Sequence, residues 1–229
     1  MSDILKGLIE AWELIISFDR QIYGIIALTL AVTLLSSAVS AILAVPLGIL
    51  IGSKNFRGKR LLVRVISTLM GLPPVVAGLI VYLFLSRKGP FGSLQLLFTP
   101  AAMVIAQVVI VTPIITGLII GAVKLKSREV EETCKGIGIG KFKTSVMLLY
   151  ECRYPVISAL LAGYGRAISE VGAVMLVGGN IQYHTRVMTT SIVLETGKGN
   201  YDIALALGII LLLISFVINW IIQRFQEEA

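Results

Sequence analysis

The chain has 229 residues, 56% of them hydrophobic and only 14% charged, with a formal net charge of +7. A soluble domain carries about a quarter charged residues, so this balance excludes an ordinary soluble fold and points to a membrane protein. The positive charge falls in short stretches between uncharged runs, which makes membrane lipid a partner and argues against nucleic acid.

Residues 1–21 come first. Ile4, Leu5, Leu8, Trp12, Ile15 and Ile16 recur at helical spacing opposite Lys6, Glu10 and Glu13. This predicts an amphipathic helix in the membrane interface, with a sixth spanning helix as the alternative. Scattered acidic residues and the lack of a compact apolar core argue against a cleavable signal. Four runs then contain no Asp, Glu, Lys or Arg: Gln21 to Ser53, Val65 to Ser86, Gly89 to Val123, and Ile203 to Gln223. Each supplies the roughly 20 residues that cross a bilayer as a helix. The first run would reach roughly 50 Å as a helix, more than a bilayer needs, so it must tilt, protrude or break, and Pro46 offers the break. In the second run, Pro73 and Pro74 impose a bend. The third span starts near Pro100 and has Pro113 in its middle, where the Thr112 and Thr116 hydroxyls are placed to bond carbonyls released by the kink.

Basic residues divide unevenly between the loops. Lys54, Arg57, Lys59, Arg60 and Arg64, then Lys124, Lys126, Arg128, Lys135, Lys141, Lys143 and Arg153, then Arg224, fall on one side. Lys6, Arg20, Arg87, Lys88, Arg186 and Lys198 fall on the other. The positive-inside bias makes the first set cytoplasmic; five spans then alternate with the N-terminus outside and the C-terminus inside. Cys134 and Cys152 land in the reducing compartment, so no disulfide is expected, and no Cys/His cluster marks a metal site.

The long cytoplasmic loop, about 124–153, reads as helix, turn, helix. Ser127 is the expected N-cap, with Glu129, Glu131 and Glu132 in the first turns. Gly136, Gly138 and Gly140 end that helix, and "KFKTSVMLLYECRY" continues toward Pro155. The run "KGIGIGKFKT" has two features of a phosphate cradle but fails the test. A P-loop would need glycine at Lys135 and a hydroxyl at Phe142, and a dinucleotide loop would need glycine at Lys141. No nucleotide site or catalytic constellation follows, so the loop is either a flexible connector or a docking surface for another protein.

A fourth span, about Pro155 to Val177, contains Arg166 and Glu170, four residues apart and so on one helical face. A lone charge at mid-bilayer costs about 2.5–3.5 kcal/mol on insertion scales, which favours pairing the two inside the bundle. The pair either fixes helix orientation or, with Ser169 and Gly172, sits near a gate and changes partners. Thr112, Thr116 and Asn180 are candidate pore-lining groups, since an anion path needs weak polar contacts; the alternative is that such side chains satisfy backbone or pack between helices. Residues 182–202 predict a short outer helix centred on Val187 to Leu194, with His184 a solvated loop residue. No internal repeat is evident.

Glu132, followed by Gly138 and Gly140, resembles the cytoplasmic EAA loop of importer-type ATP-binding-cassette permeases, with Thr133 and Cys134 in place of two alanines. Where that family has a proline nineteen residues after the glutamate, this chain has Glu151, and its proline is Pro155. "VPLG", "GLPPVVAGLIVYLFLSRKGPFG" and "GRAISEVGAVMLVGGNIQYHTRVMTT" are similar to the branch that imports molybdate, tungstate and sulfate. "YECRYP" and "LETGKGNYDIALALGIILLLISF" look most like tungstate permeases.

The resemblance implies an all-α polytopic permease fold of about five spans over 22–224. It implies a homodimer, a separate cytoplasmic ATPase pair that binds ATP and magnesium, and an external oxyanion-binding protein. Glu131, Glu132, Gly136, Gly138 and Gly140 would then couple to the ATPase, and no cofactor would belong to this chain. Tungstate is the expected cargo, molybdate the next, sulfate a further alternative. A secondary transporter or channel, and a membrane scaffold without transport, remain as competing readings.

Overall fold

The computed structural model describes residues 20–227, preceded by Ile9, Trp12, Glu13 and Ile16. Those four are helical and exposed; the rest of the interfacial segment expected before Arg20 lies outside the described residues. The described residues form nine α-helices and no strand: α1 (Arg20–Ser53), α2 (Lys59–Met70), α3 (Pro74–Leu85), α4 (Pro100–Gly136), α5 (Lys141–Glu151), α6 (Arg153–Ile168), α7 (Gly172–Gly178), α8 (Met188–Lys198) and α9 (Tyr201–Glu227), with a 3₁₀ turn at Gly92–Leu94. Three helices are long and apolar enough to cross a membrane, and up to five spans result if each bent helix pair counts as one. The all-α, multi-span class expected above is therefore what forms.

The chain divides into two compact units. One consists of Ser36–Pro73 and Val108–Ala167. Its core joins Ala44 and Ile49 of α1 to Val111, Ile115, Ile119 and Val123 of α4, and continues through Val130, Cys134, Leu148, Cys152 and Val156. A stripe of small residues explains the close fit. Ser36, Ser40, Ala44, Gly48 and Gly52 recur every fourth residue, hence on one helical face, and all five are buried. A Cβ added at Gly48 would lie 2.6 Å from Ile119 Cγ2, and one at Gly52 would lie 2.6 Å from Val123 Cγ1. Small side chains let membrane helices approach this closely, because packing replaces the missing hydrophobic drive between them.

α1 does not break at Pro46, which stands inside the helix. One lost donor is tolerated in a membrane helix, and Ala44 and Gly48 hold α1 against its core on either side of it. Ser127 likewise does not cap a new helix. α4 runs 37 residues, about 55 Å, straight through it. The Ser127 hydroxyl instead donates back to the Lys124 carbonyl, and the Arg128–Glu132 pair supports the same turns.

The second expected span is also divided. α2 begins at Lys59, inside the basic loop, and α3 begins at Pro74, the first helical position, where proline's missing N–H costs no hydrogen bond.

The other unit comprises the described residues up to Leu35, Pro74–Gln107, and the described residues from Ile168 onward. α3 and α7 touch backbone to backbone: a Cβ on Gly78 would lie 2.6 Å from Ala173 Cα, and one on Gly172 would lie 2.8 Å from Val75 Cγ2. Ile25, Met188, Ala206 and Ile210 form a second apolar cluster, which seats α8 against α1 and α9. The short outer helix expected within 182–202 is thus present as α8.

Candidate coupling loop and intramembrane segment

The loop expected at about 124–153 is built around a glycine in the left-handed conformation. Gly138 has φ +71°, and the bonds beside it form a Schellman closure of α4: Ile139 N–H donates to Cys134 O at 2.8 Å and Gly138 N–H to Lys135 O at 3.2 Å. Ile139 follows the turn and packs on the same core as Cys134. Gly136 and Gly140 differ from Gly138. Neither has positive φ, and a Cβ at either meets nothing within 4 Å. Only one of the three predicted glycines is demanded by the backbone.

Burial divides this helix pair into two sides. Val130 and Cys134 of α4 are buried with Leu148 of α5 and Cys152 just beyond it. Burying Leu148 alone is worth about 2 kcal/mol, so the apolar seam fixes the pair as a unit. Glu132 lies on the wet side, bonded to Arg128 Nε at 2.9 Å, and Glu131 sits 3.9 Å from Lys135 Nζ. The hydrogen bond to Glu132 and its negative charge push the Arg128 guanidinium above its ordinary pKa. These pairs are exposed to water and screened, so exchanging a partner costs little. Beside them stand exposed apolar side chains: Ile137, Phe142, Val146 and Tyr150. Phe142 is 83% exposed, which is unusual for a side chain that gains so much from burial.

The junction with the next helix is braced. α5 and α6 are bent by 69°. The Arg153 guanidinium lies 4.5 Å from the ring centroids of both Tyr150 and Tyr154, and its Nη1 donates to the Tyr150 carbonyl. Glu151, in the place of the family's usual proline, ends α5 and lines a cleft of about 180 Å³ with Lys126, Glu129, Thr133 and Met147.

The predicted gate residues fall on and around a break between two helices. α6 stops at Ile168 and α7 starts at Gly172, so Arg166 and Glu170 do not lie on one continuous helix. Each charge suits its own helix end. Arg166 lies in the last turn of α6, where a cation is favoured, and Glu170 precedes α7, where an anion is favoured. Glu170 Oε1 accepts the Ala173 N–H at 3.0 Å, and its carbonyl accepts the Thr189 hydroxyl at 3.0 Å. Ser169 lies in the break itself, and Gly172 allows the close contact with α3.

Asn180 and the two threonines occupy different settings. Asn180 has φ +50°; its Nδ2 donates to Thr190 O at 3.4 Å, and its carbonyl accepts Arg186 Nη2 at 3.3 Å. Asn180 thus fixes the turn between α7 and α8. The Thr116 hydroxyl donates to Thr112 O at 2.7 Å, an ordinary helical back-bond, whereas Pro113 releases the carbonyl of Val109. The Thr112 hydroxyl is buried with no hydrogen-bond partner among the described residues.

Sequence reasoning missed how polar the buried start of α8 is. Thr185, Thr189, Thr190 and Ser191 are all buried, and Met188 N–H donates to Thr29 Oγ1 at 2.9 Å. Thr190 Oγ1 accepts the Val187 N–H, half of a capping box. The run of hydroxyls in "TRVMTTS" was the available signal. A further feature of this unit is a cleft of about 880 Å³ around the end of α3, lined by Tyr82, Ser86, Arg87, Lys88, Ser93 and Gln95.

Residues 44–228 match the family described as "Binding-protein-dependent transport system inner membrane component". The chain belongs to this family. It is a subunit of the inner-membrane transport family, with the multi-pass membrane placement its apolar helices require, and its relatives are named as permeases, not enzymes. It is 46% identical over 228 residues, 100% of both chains, to the tungstate uptake system permease protein TupB of Peptoclostridium acidaminophilum. A probable anion ABC transporter permease protein of Haloferax volcanii is 40% identical over 90% of this chain and 91% of its own. TupB of Campylobacter jejuni is 33% identical over 98% and 94%. Membership of a binding-protein-dependent family implies a binding protein and an ATPase as partners in general.

Proposed function

We propose that this chain is the membrane-spanning subunit of a tungstate importer, with molybdate as the next most favoured cargo. Identity of 46% along the full length to a tungstate uptake permease carries this reading. Two copies form the pore, N-termini outside and C-termini inside. A separate pair of cytoplasmic ATPases binds ATP and magnesium, and an external binding protein delivers the anion. The cleft bearing Arg87 and Lys88 suits the arrival of a dianion, since cations and small polar groups concentrate anions without trapping them.

In this mechanism the α4–α5 hairpin meets the ATPase. Ile137, Phe142 and Tyr150 supply apolar contact, Glu131 and Glu132 supply charge, and Gly138 with its flanking Gly136 and Gly140 sets the turn. Closure of the ATPases on ATP moves the hairpin, and the spans alternate between outward-open and inward-open states. The driving free energy comes from contacts that differ between the two states. The segment holding Arg166, Ser169, Glu170 and Gly172 acts as the gate, because it is a helix break rather than a regular helix, and Thr112, Thr116 and Asn180 line the path.

The test is uptake by proteoliposomes carrying the whole transporter with its binding protein. ATP-dependent tungstate accumulation, competed by molybdate and weakly by sulfate, is expected. Accumulation without ATP would replace this reading with a secondary transporter. Sulfate outcompeting tungstate would overturn the cargo assignment alone.

A further inference from the structure

We propose that α2 is an interfacial helix that binds the anionic headgroups of one bilayer leaflet. The proposal rests on the membrane placement of the chain and is independent of its cargo. α2 is 12 residues long, about 18 Å, too short to cross a bilayer core of roughly 30 Å, and none of its residues is buried. Its sequence, "KRLLVRVISTLM", is divided by side. Leu61, Leu62, Val65, Ile66 and Leu69 share one helical face, while Arg60, Arg64 and Ser67 follow at i, i+4 and i+7 on the other. Leu61 is 67% exposed, and Leu62, Val65 and Leu69 are exposed with it.

The helix is anchored at both ends. At its start, Gly58 has φ +88°, and Lys59 Nζ donates to the carbonyls of Gly52 and Lys54, at 3.1 and 2.7 Å, closing the end of α1. At its finish, Met70 lies against Gly117 of α4, where an added Cβ would sit 2.2 Å from its Sδ. Between these anchors Ile66 is half-buried, and Leu61, Leu62, Val65 and Leu69 of the apolar face are exposed.

Charge identifies the occupant. No Asp or Glu occurs between Arg20 and Arg128, so nothing along this stretch neutralises Arg57, Arg60 and Arg64. None of the three guanidinium groups makes an ion pair or hydrogen bond among the described residues. Lys59 is committed to the carbonyls of α1, which leaves the arginines to face outward. Arginine forks match phosphate geometry, and an apolar face beside a basic stripe is the pattern of helices that lie on anionic membranes. Phe56, exposed just before the helix, adds an aromatic side chain of the kind found on the apolar side of interfacial helices.

The experiment places a tryptophan on the apolar face of the full chain, Leu62→Trp, with Trp12→Phe and Trp220→Phe removing the native signals. Each protein is reconstituted in mixed phosphatidylcholine and phosphatidylglycerol bilayers, and quenching by brominated acyl chains is compared with the bromine on one lipid or the other. Brominated phosphatidylglycerol is expected to quench about threefold more than brominated phosphatidylcholine at equal mole fraction. Arg57→Gln, Arg60→Gln and Arg64→Gln together should equalise the two lipids while leaving quenching in place; the corresponding lysine replacements should retain the preference. Equal quenching in the chain with its arginines intact would overturn the headgroup assignment. Absence of quenching by either lipid would mean that a second copy or another protein covers α2, and would overturn the proposal outright.

Discussion

Gly138 holds φ at +71° with open space around it, so replacing it costs backbone strain rather than collision. For an L-residue that strain is about 1–2 kcal/mol. Gly138→Ala should therefore destabilise the α4–α5 turn by about 1 kcal/mol, whereas Gly136→Ala should be neutral or slightly stabilising because alanine favours the helix. Amide exchange across 134–142 checks this; equal effects of the two substitutions would show that the turn does not depend on Gly138. A second residue-scale effect concerns Glu195. Hydrogen bonds from Asn200 Nδ2 at 2.7 Å and Lys198 Nζ at 2.8 Å hold its carboxyl below the ordinary glutamate range. A depressed folded value contributes stability above the unfolded pKa, and that stability disappears as pH falls through the folded value. The C-terminal turn of α8 should thus loosen on acidification into that lower range. Asn200→Ala should move the Glu195 titration upward, read by carboxyl NMR; an unchanged titration would remove Asn200 as the cause.

Three spans, Ile22–Ser53, Pro100–Gly136 and Tyr201–Trp220, were legible as uncharged runs because a helix crossing lipid must be apolar along its length, whereas the run from Val65 is divided by a 102° bend. The seam between α1 and α4 was legible in the same letters, as Ser36, Ser40, Ala44, Gly48 and Gly52, but only to a search for small residues at every fourth position. Two helix boundaries were not legible, for opposite reasons. Ser127 resembles an N-cap, yet a serine caps only where the preceding backbone leaves the helix; here Lys124 and Lys126 continue it and the hydroxyl bonds backward. Between Arg166 and Glu170 the continuous span expected from the sequence is interrupted, with α6 ending at Ile168 and α7 starting at Gly172. Their signs suit a helix end followed by a helix start equally well, and spacing alone does not distinguish the two. The turn after α4 was legible because Gly138 meets a local backbone requirement that its surroundings do not alter.

At the scale of the whole molecule, the continuity of α4 past Val123 bears on how a transporter of this family transmits work. About 13 residues separate the last apolar turn from Gly136, roughly 20 Å of helix leading to the buried seam of Val130, Cys134 and Leu148. A displacement of the hairpin is carried along this rod only if its middle stays helical. Replacing Leu125, Lys126 and Ser127 with glycine removes about 1 kcal/mol of helix preference per residue while keeping Val130, Cys134, Leu148 and the exposed Phe142 in place. In the assembled transporter this variant should still bind the ATPase and permit ATP hydrolysis, while ATP-driven uptake falls severalfold because turnover of the ATPase no longer moves the spans. Ser127→Ala, which keeps the helix, should retain both activities. Uptake at the unmodified rate in the glycine variant would mean that α4 is not the transmitting element; loss of ATPase binding would instead place these residues in the docking surface itself.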